Sequence, residues 1–84
     1  MGEAYIVAAV RTACGRRNGK LSGIHPIDLG AAVVDELLDR TALPTHAVDD
    51  VIFGCVSQIG AQAGNLARNV ALASRLDVSV PGVT

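Results

Sequence analysis

The sequence predicts an α/β fold in which strands and helices alternate, and three observations favour it. Residues 4–10 and 51–56 are two apolar runs with the continuous hydrophobicity of strands in a parallel sheet. Each run is followed, after a loop, by apolar side chains at the 3–4 residue spacing of an amphipathic helix. A third segment rich in β-branched residues covers residues 80–84. The predicted order is therefore strand, helix, strand, helix and the beginning of a third strand.

The first predicted strand, residues 4–10, has no polar residue except the hydroxyl of Tyr5. Residues 12–25 then contain recurring glycines among basic and small polar residues, which predicts a long loop. Loops of this length in α/β folds are often functional. The loop is therefore a candidate binding site.

The first helix is predicted to start at Pro26, which suits the first helical position, with His25 before it and Asp28 in its first turn. Gly30 lies inside this helix, where glycine costs about 1 kcal/mol relative to alanine, so we expect a close approach of a neighbouring element. The apolar face comprises Ile27, Ala31, Val34, Leu37 and Leu38, and the acidic face comprises Asp28, Asp35 and Asp39.

The second half repeats the pattern of strand, loop and helix. The second strand is predicted at residues 51–56, the loop at 57–64, and the second helix at 66–76 with Asn65 as its N-cap. Apolar residues surround much of this helix, so it is predicted to be buried on more than one side. Residues 80–84 begin a strand that no later segment of the sequence can pair with. We therefore expect one incomplete domain, residues 1–84, that stays loosely packed or aggregates when it is alone.

Composition excludes several classes of function. The net charge is −1, with 7 basic and 8 acidic residues, which argues against a nucleic-acid-binding role. No apolar run approaches the ~20 residues of a membrane span. Cys14 and Cys55 form no Cys-x-x-Cys motif and no zinc-site pattern, and no secretion signal follows Met1. These features favour a reduced, cytoplasmic protein without a metal site.

Two kinds of site in the long loop were weighed against ordinary structural roles. The spacing of Gly15, Gly19 and Gly23 does not match Gly-x-Gly-x-x-Gly, and Lys20 lacks the Walker arrangement, so turn residues are favoured over a nucleotide site. Cys14 follows the first predicted strand as a nucleophile would, and the two histidines, His25 and His46, are possible bases, but an ordinary residue is favoured. Cys55, inside the second predicted strand, is interpreted as a small hydrophobic residue.

Basic residues raise a further pair of alternatives. Arg11, Arg16, Arg17 and Lys20 lie within ten positions, and a solvated loop balanced by acidic residues of the first helix is favoured over contact with phosphates. Arg68 lies in the first turn of the second helix, where a cation opposes the helix dipole. It should therefore have a specific partner, for which a carbonyl or carboxylate is favoured over a ligand.

Several segments together resemble the amino terminus of the acyl-CoA thiolases. The resemblance begins with Ile-Val-Ala-Ala-Val-Arg-Thr-Ala at residues 6–13 and continues through Gly15, Asn18-Gly19 and Asp28-Leu29-Gly30. It includes the strand at residues 51–56 with Asn-Leu-Ala-Arg at 65–68, and Val-Pro-Gly-Val-Thr at 80–84. The segments occur in order and cover essentially the whole chain.

The resemblance implies a thiolase-like fold of two stacked halves, of which this chain is the first part of the first half. It also implies acyl transfer between acyl-CoA and acetyl-CoA, or thiolytic cleavage of 3-ketoacyl-CoA, with coenzyme A thioesters as substrates, no covalently bound cofactor and a homo-oligomeric enzyme. The family's nucleophilic cysteine comes a few residues after the segment that residues 80–84 resemble. No catalytic residue is therefore carried over, and the 84-residue chain alone is expected to be inactive.

A supporting role is what remains for these residues. The loop at 57–64 should face the ligand side of the sheet, which makes Gln58, Gln62, Asn65 and Arg68 candidate supporting residues. The pattern at residues 54–62 resembles thiolases that act on bulky chains, including steroid-derived ones. Two alternatives stay open: a nucleotide-binding α/β domain, and a noncatalytic interaction or scaffold piece.

Overall fold

A computed structural model describes residues 2–84, so Met1, the first residue of the predicted domain, lies outside the described part. The described elements, in chain order, are helix α1 (Pro26–Thr41), strand β1 (Val51–Ile52), a short 3-10 helix (Gly60–Gln62), helix α2 (Leu66–Ala73) and strand β2 (Gly82–Val83).

Helix α1 begins where the sequence predicts. His25 is its N-cap, and the Nδ1 atom of His25 accepts a hydrogen bond from the backbone N–H of Ile27 at 3.1 Å. Pro26 occupies the first helical position, whose N–H would otherwise lack a partner. The helix ends at Ala42, which adopts the left-handed conformation and donates its N–H to Leu38 O.

The two strands form a parallel pair, with Val51 opposite Gly82 and Ile52 opposite Val83. The N–H of Val51 donates to Pro81 O at 3.0 Å, and the N–H of Phe53 donates to Val83 O at 2.9 Å. The expectation that the last strand has no partner is therefore wrong, because β1 pairs with it. The second predicted strand is also shorter than expected, since β2 supplies hydrogen-bond partners only along this stretch.

The first predicted strand does not form in the described residues. Residues 4–10 make no ladder hydrogen bonds, and the side chains of Ile6 and Val7 are 91% and 83% exposed. Hydrophobicity favours a strand, but a strand also needs a neighbouring edge that accepts its backbone hydrogen bonds. An apolar groove of about 540 Å³ is lined by residues 5–8 together with residues of α1 and β1.

The core lies between α1, α2 and the strand pair. Its buried members are Leu38, Val51, Ala67, Ala71, Leu76 and Val80. The close approach predicted at Gly30 is confirmed, because a Cβ atom there would lie 2.7 Å from Val70 Cγ2 and 3.2 Å from Phe53 Cε2. Glycine at this position therefore lets α1 pack directly against α2.

Helix α2 is shorter, and buried on fewer sides, than predicted. It ends at Ala73 instead of Leu76, and the N–H of Arg75 donates to Asp35 Oδ1 of α1 at 2.8 Å instead of continuing the helix. Its buried residues, Leu66, Ala67, Val70 and Ala71, share one face, while Leu72 is 51% exposed. With the last strand paired and α2 buried on one face, the reasons given for expecting a loosely packed chain are removed. Neither α1 nor α2, the α-helices of residues 2–84, has the length and hydrophobicity that crossing a membrane requires.

Candidate functional site

The side chain of Asn65 connects the start of α2 to β2. Its Nδ2 atom donates to Gly82 O at 2.7 Å. Its Oδ1 atom accepts from the N–H of Arg68 at 3.1 Å and from the hydroxyl of Thr84 at 2.9 Å. The predicted N-cap role of Asn65 is confirmed, and the same amide also fixes the position of β2.

Thr84 completes the capping of α2. Its hydroxyl oxygen accepts from the N–H of Ala67 at 3.0 Å while its proton is donated to Asn65 Oδ1. Two of the first N–H groups of the helix, those of Ala67 and Arg68, are therefore satisfied by side chains. Helix starts bind anions through such N–H groups, so this helix start is used for structure.

Arg68 has the specific partner that its position predicts. Its Nη1 atom donates to Val80 O at 2.6 Å, which places the guanidinium beside the residue that precedes Pro81. The partner is a backbone carbonyl, as the favoured structural alternative held. We refer to Asn65, Arg68 and Thr84 together as the strand clamp, because they join residues 80–84 to the start of α2.

Gly82 allows the strand clamp to close. A Cβ atom at this position would lie 2.8 Å from both the carbonyl carbon of Ala67 and the backbone nitrogen of Arg68. Real Cβ atoms do not approach backbone atoms so closely. The backbone of β2 therefore lies directly on the first turn of α2, and only glycine fits this contact.

The other two candidate supporting residues stabilise their own loop instead. Gln58 donates from Nε2 to Gly64 O at 3.0 Å. Cys55 Sγ lies 3.1 Å from Gln62 Oε1 and 3.4 Å from Ser57 O. Cys55 is thus half-buried just past β1 with polar partners, and its interpretation as an apolar strand residue is wrong.

The structure assembles no pair of Cys14 with a histidine base. Cys14 is exposed and lies in a cavity of about 440 Å³ whose lining contains no histidine. His25 caps α1 through Nδ1, and His46 is exposed in a turn. Within residues 2–84, no three His, Cys, Asp or Glu side chains are grouped as metal ligands.

Two contacts escaped sequence reasoning because their partners are distant in sequence. Thr84 caps a helix that starts 18 residues before it, and nothing local to Thr84 signals that role. Arg75 Nη2 donates to Asp39 Oδ1 at 2.6 Å and to Asp35 O at 2.7 Å. The shared face of Asp35 and Asp39 was the only available signal for this second contact.

The elements and the strand clamp define an α/β domain in which a parallel strand is fixed at the start of a helix. The family described as "Thiolase, N-terminal domain" matches residues 4–84. The chain belongs to the thiolase family, within its amino-terminal domain, so the resemblance seen in the sequence is confirmed.

Individual relatives agree with this assignment. The chain is similar to the steroid 3-ketoacyl-CoA thiolase FadA6 of Mycobacterium tuberculosis, with 60% identity over 84 residues. It is 45% identical over 84 residues to an acetyl-CoA acetyltransferase of Pseudomonas aeruginosa, and 44% identical over 85 residues to a beta-ketoadipyl-CoA thiolase of Acinetobacter baylyi. Each match covers 100% of this chain and 21% of the relative, so the chain spans about one fifth of the relatives' length.

Proposed function

We propose that the chain is the amino-terminal part of an acyl-CoA thiolase. The whole enzyme would transfer an acyl group between acyl-CoA and acetyl-CoA by Claisen condensation, or cleave 3-ketoacyl-CoA by thiolysis. Coenzyme A thioesters would be its substrates, with no covalently bound cofactor. The family match over residues 4–84 and the named activities of the relatives support this proposal.

The strand clamp is the structural observation that supports a role in this reaction. The thiolase resemblance implies that a nucleophilic cysteine follows the segment at residues 80–84 by a few residues. Fixing the backbone of that segment restricts where the following residues can lie, and accurate placement of reacting groups lowers the barrier of a reaction. Asn65, Arg68 and Thr84 would therefore act as positioning residues, and none of them as a catalytic residue.

The similarity to a steroid 3-ketoacyl-CoA thiolase supports a substrate with a bulky acyl chain. The pattern at residues 54–62 favours the same substrate class. We place the whole enzyme in the cytoplasm as a homo-oligomer, in keeping with the thiolase resemblance. The nucleotide-binding alternative is not favoured, because the family match accounts for the glycines of the long loop without a phosphate-binding motif.

The proposal is tested by assaying the full-length protein that contains this chain. Purified protein is incubated with coenzyme A and a series of 3-ketoacyl-CoA substrates, and acetyl-CoA release is measured by chromatography. We expect release with at least one bulky substrate and none from the 84-residue chain. Absence of both thiolysis and condensation across short, long and ring-containing acyl chains would contradict the proposal.

Variants of the same full-length protein separate positioning from folding. Asn65→Ala removes the hydrogen bonds to Gly82 and Thr84 and should lower kcat more than it raises KM. The matched control is Asn69→Ala, which changes the same residue type on the exposed face of α2. A similar kcat for both variants would show that the strand clamp does not position the reacting groups.

A further inference from the structure

Four basic side chains project from the long loop that precedes α1. Arg11, Arg16, Arg17 and Lys20 are all exposed, and they account for four of the seven basic residues of the chain. We refer to these four residues as the basic loop. Their density stands out because the chain as a whole carries a net charge of −1.

The acidic residues expected to balance the basic loop are occupied elsewhere. Asp35 and Asp39 hold Arg75, and Glu36 pairs with Arg40 at 2.8 Å. Among residues 2–84, no ion pair involves any member of the basic loop. The interpretation as a loop neutralised by the first helix is therefore wrong, and these positive charges are available to an outside partner.

Three consecutive turns shape the basic loop. The N–H of Gly19 donates to Arg16 O at 2.9 Å, that of Ser22 to Gly19 O at 3.1 Å, and that of Ile24 to Leu21 O at 3.1 Å. The turns bring Arg16 and Lys20 to one cavity of about 440 Å³, whose other lining residues are Ala13, Cys14, Gly15 and Leu21. A cavity of this size is within the range of small-molecule sites.

We propose that the basic loop binds the phosphate groups of a small phosphorylated ligand. A guanidinium donates two parallel hydrogen bonds to a phosphate, and an ammonium adds a compact positive charge that can rotate toward it. Arg16 and Lys20 supply one of each at the same cavity. Arg11 and Arg17 raise the local positive potential, which increases the association rate of an anion. This site is separate from the thiolase reaction, and its existence does not depend on that activity.

Two sources offer this chemistry, and titrations distinguish them. The ¹⁵N-labelled 84-residue chain is titrated at low ionic strength with inorganic diphosphate and, separately, with adenosine 3′,5′-bisphosphate. We expect saturable amide shifts confined to residues 11–21. Tighter binding of the bisphosphate identifies a nucleotide as the source, and equal binding identifies free phosphate. Absence of saturation with either probe up to about 10 mM, a concentration that detects even mM dissociation constants, would overturn the proposal.

Matched charge variants test whether the site is specific. Arg16→Gln should weaken binding by about tenfold, because it removes hydrogen bonds between charged groups. Arg40→Gln removes the same charge from an ion-paired position on α1 and should leave the affinity within about twofold, because charges beyond the Debye length are screened. Equal losses in both variants would show a general charge effect and overturn the proposal. Equilibrium dialysis provides the same comparison where amide signals are broad.

Discussion

Residues 2–25 and residues 26–84 are both rich in apolar side chains, yet only the second region packs. Val7 is 83% exposed, whereas Val70 is fully buried and Val80 is 1% exposed. The two regions differ in how their backbone polar groups are satisfied. Residues 4–10 have no ladder partners, while residues 26–84 contain capped helices and a paired strand. Burial of an apolar segment therefore depends on hydrogen-bond partners for its backbone as much as on its hydrophobicity.

The largest expected effect comes from a glycine in the packed region. Gly82→Ala would place a Cβ atom 2.8 Å from backbone atoms of Ala67 and Arg68, which cannot move without displacing α2. We expect a loss of about 3 kcal/mol in the free energy of unfolding, the upper part of the usual range for overpacking. Urea denaturation of the 84-residue chain measures it.

A glycine of the exposed region is the control for this substitution. A Cβ atom at Gly23 meets nothing within 4 Å, so Gly23→Ala should change the free energy of unfolding by less than about 0.5 kcal/mol. Similar losses for both glycines would mean that the two regions are packed alike, contrary to the structure.

A pair of valines compares the regions with identical chemistry. Val80→Ala leaves a cavity in the core and should reduce the free energy of unfolding by about 2 kcal/mol. Val7→Ala removes the same atoms from an exposed position and should cost less than about 0.5 kcal/mol. Thermal and urea unfolding both report the difference. A cost at Val7 close to that at Val80 would show that residues 4–10 are packed in solution.

The strand clamp should contribute less than the core, because its hydrogen bonds replace bonds to water. Asn65→Ala removes a helix cap and a bond to β2, and we expect it to cost about 1–2 kcal/mol. Asn65→Asp keeps the cap acceptor but loses the donor to Gly82 O, so its cost should be smaller. If Asn65→Asp costs as much as Asn65→Ala, the cap acceptor contributes little and the bond to β2 accounts for the effect.

Sequence reasoning succeeded where the signal is local. Pro26 with His25 marked the start of α1, and Asn65 marked the start of α2, because capping is decided by neighbouring residues. It failed where a distant partner decides the outcome. The pairing of β1 with β2 and the end of α2 at Ala73 depend on contacts across 30 or more residues, such as the bond from Arg75 to Asp35.

The candidate site shows the same division between local and distant signals. The dipole argument predicted a partner for Arg68, but it could not identify Val80 O as that partner. Likewise, the charges of the basic loop were visible in sequence, while their lack of acidic partners required the positions of Arg40 and Arg75. Residue type indicates what a side chain can bind, and the fold decides which partner it meets.

The smallest expected effect is a pH dependence in the turn that leads into β2. The N–H of Ser79 donates to Asp77 Oδ1 at 2.9 Å, and this bond, with a further contribution from the Ser79 side chain, holds the pKa of Asp77 below its ordinary value of 3.8. Because the folded-state pKa is the lower one, the bond stabilises the turn fully above the unfolded-state pKa and is lost as pH falls through the folded-state pKa. The N–H of Val80, which donates to Asp77 O at 3.0 Å, should therefore lose protection from hydrogen exchange below about pH 4, after correction for the intrinsic exchange rate. Asp77→Asn should abolish this dependence, whereas the unprotected amides of residues 4–10 should show none in either protein. A pH-independent Val80 amide in the unsubstituted chain would mean that the carboxylate does not hold the turn that connects the packed region to the strand clamp.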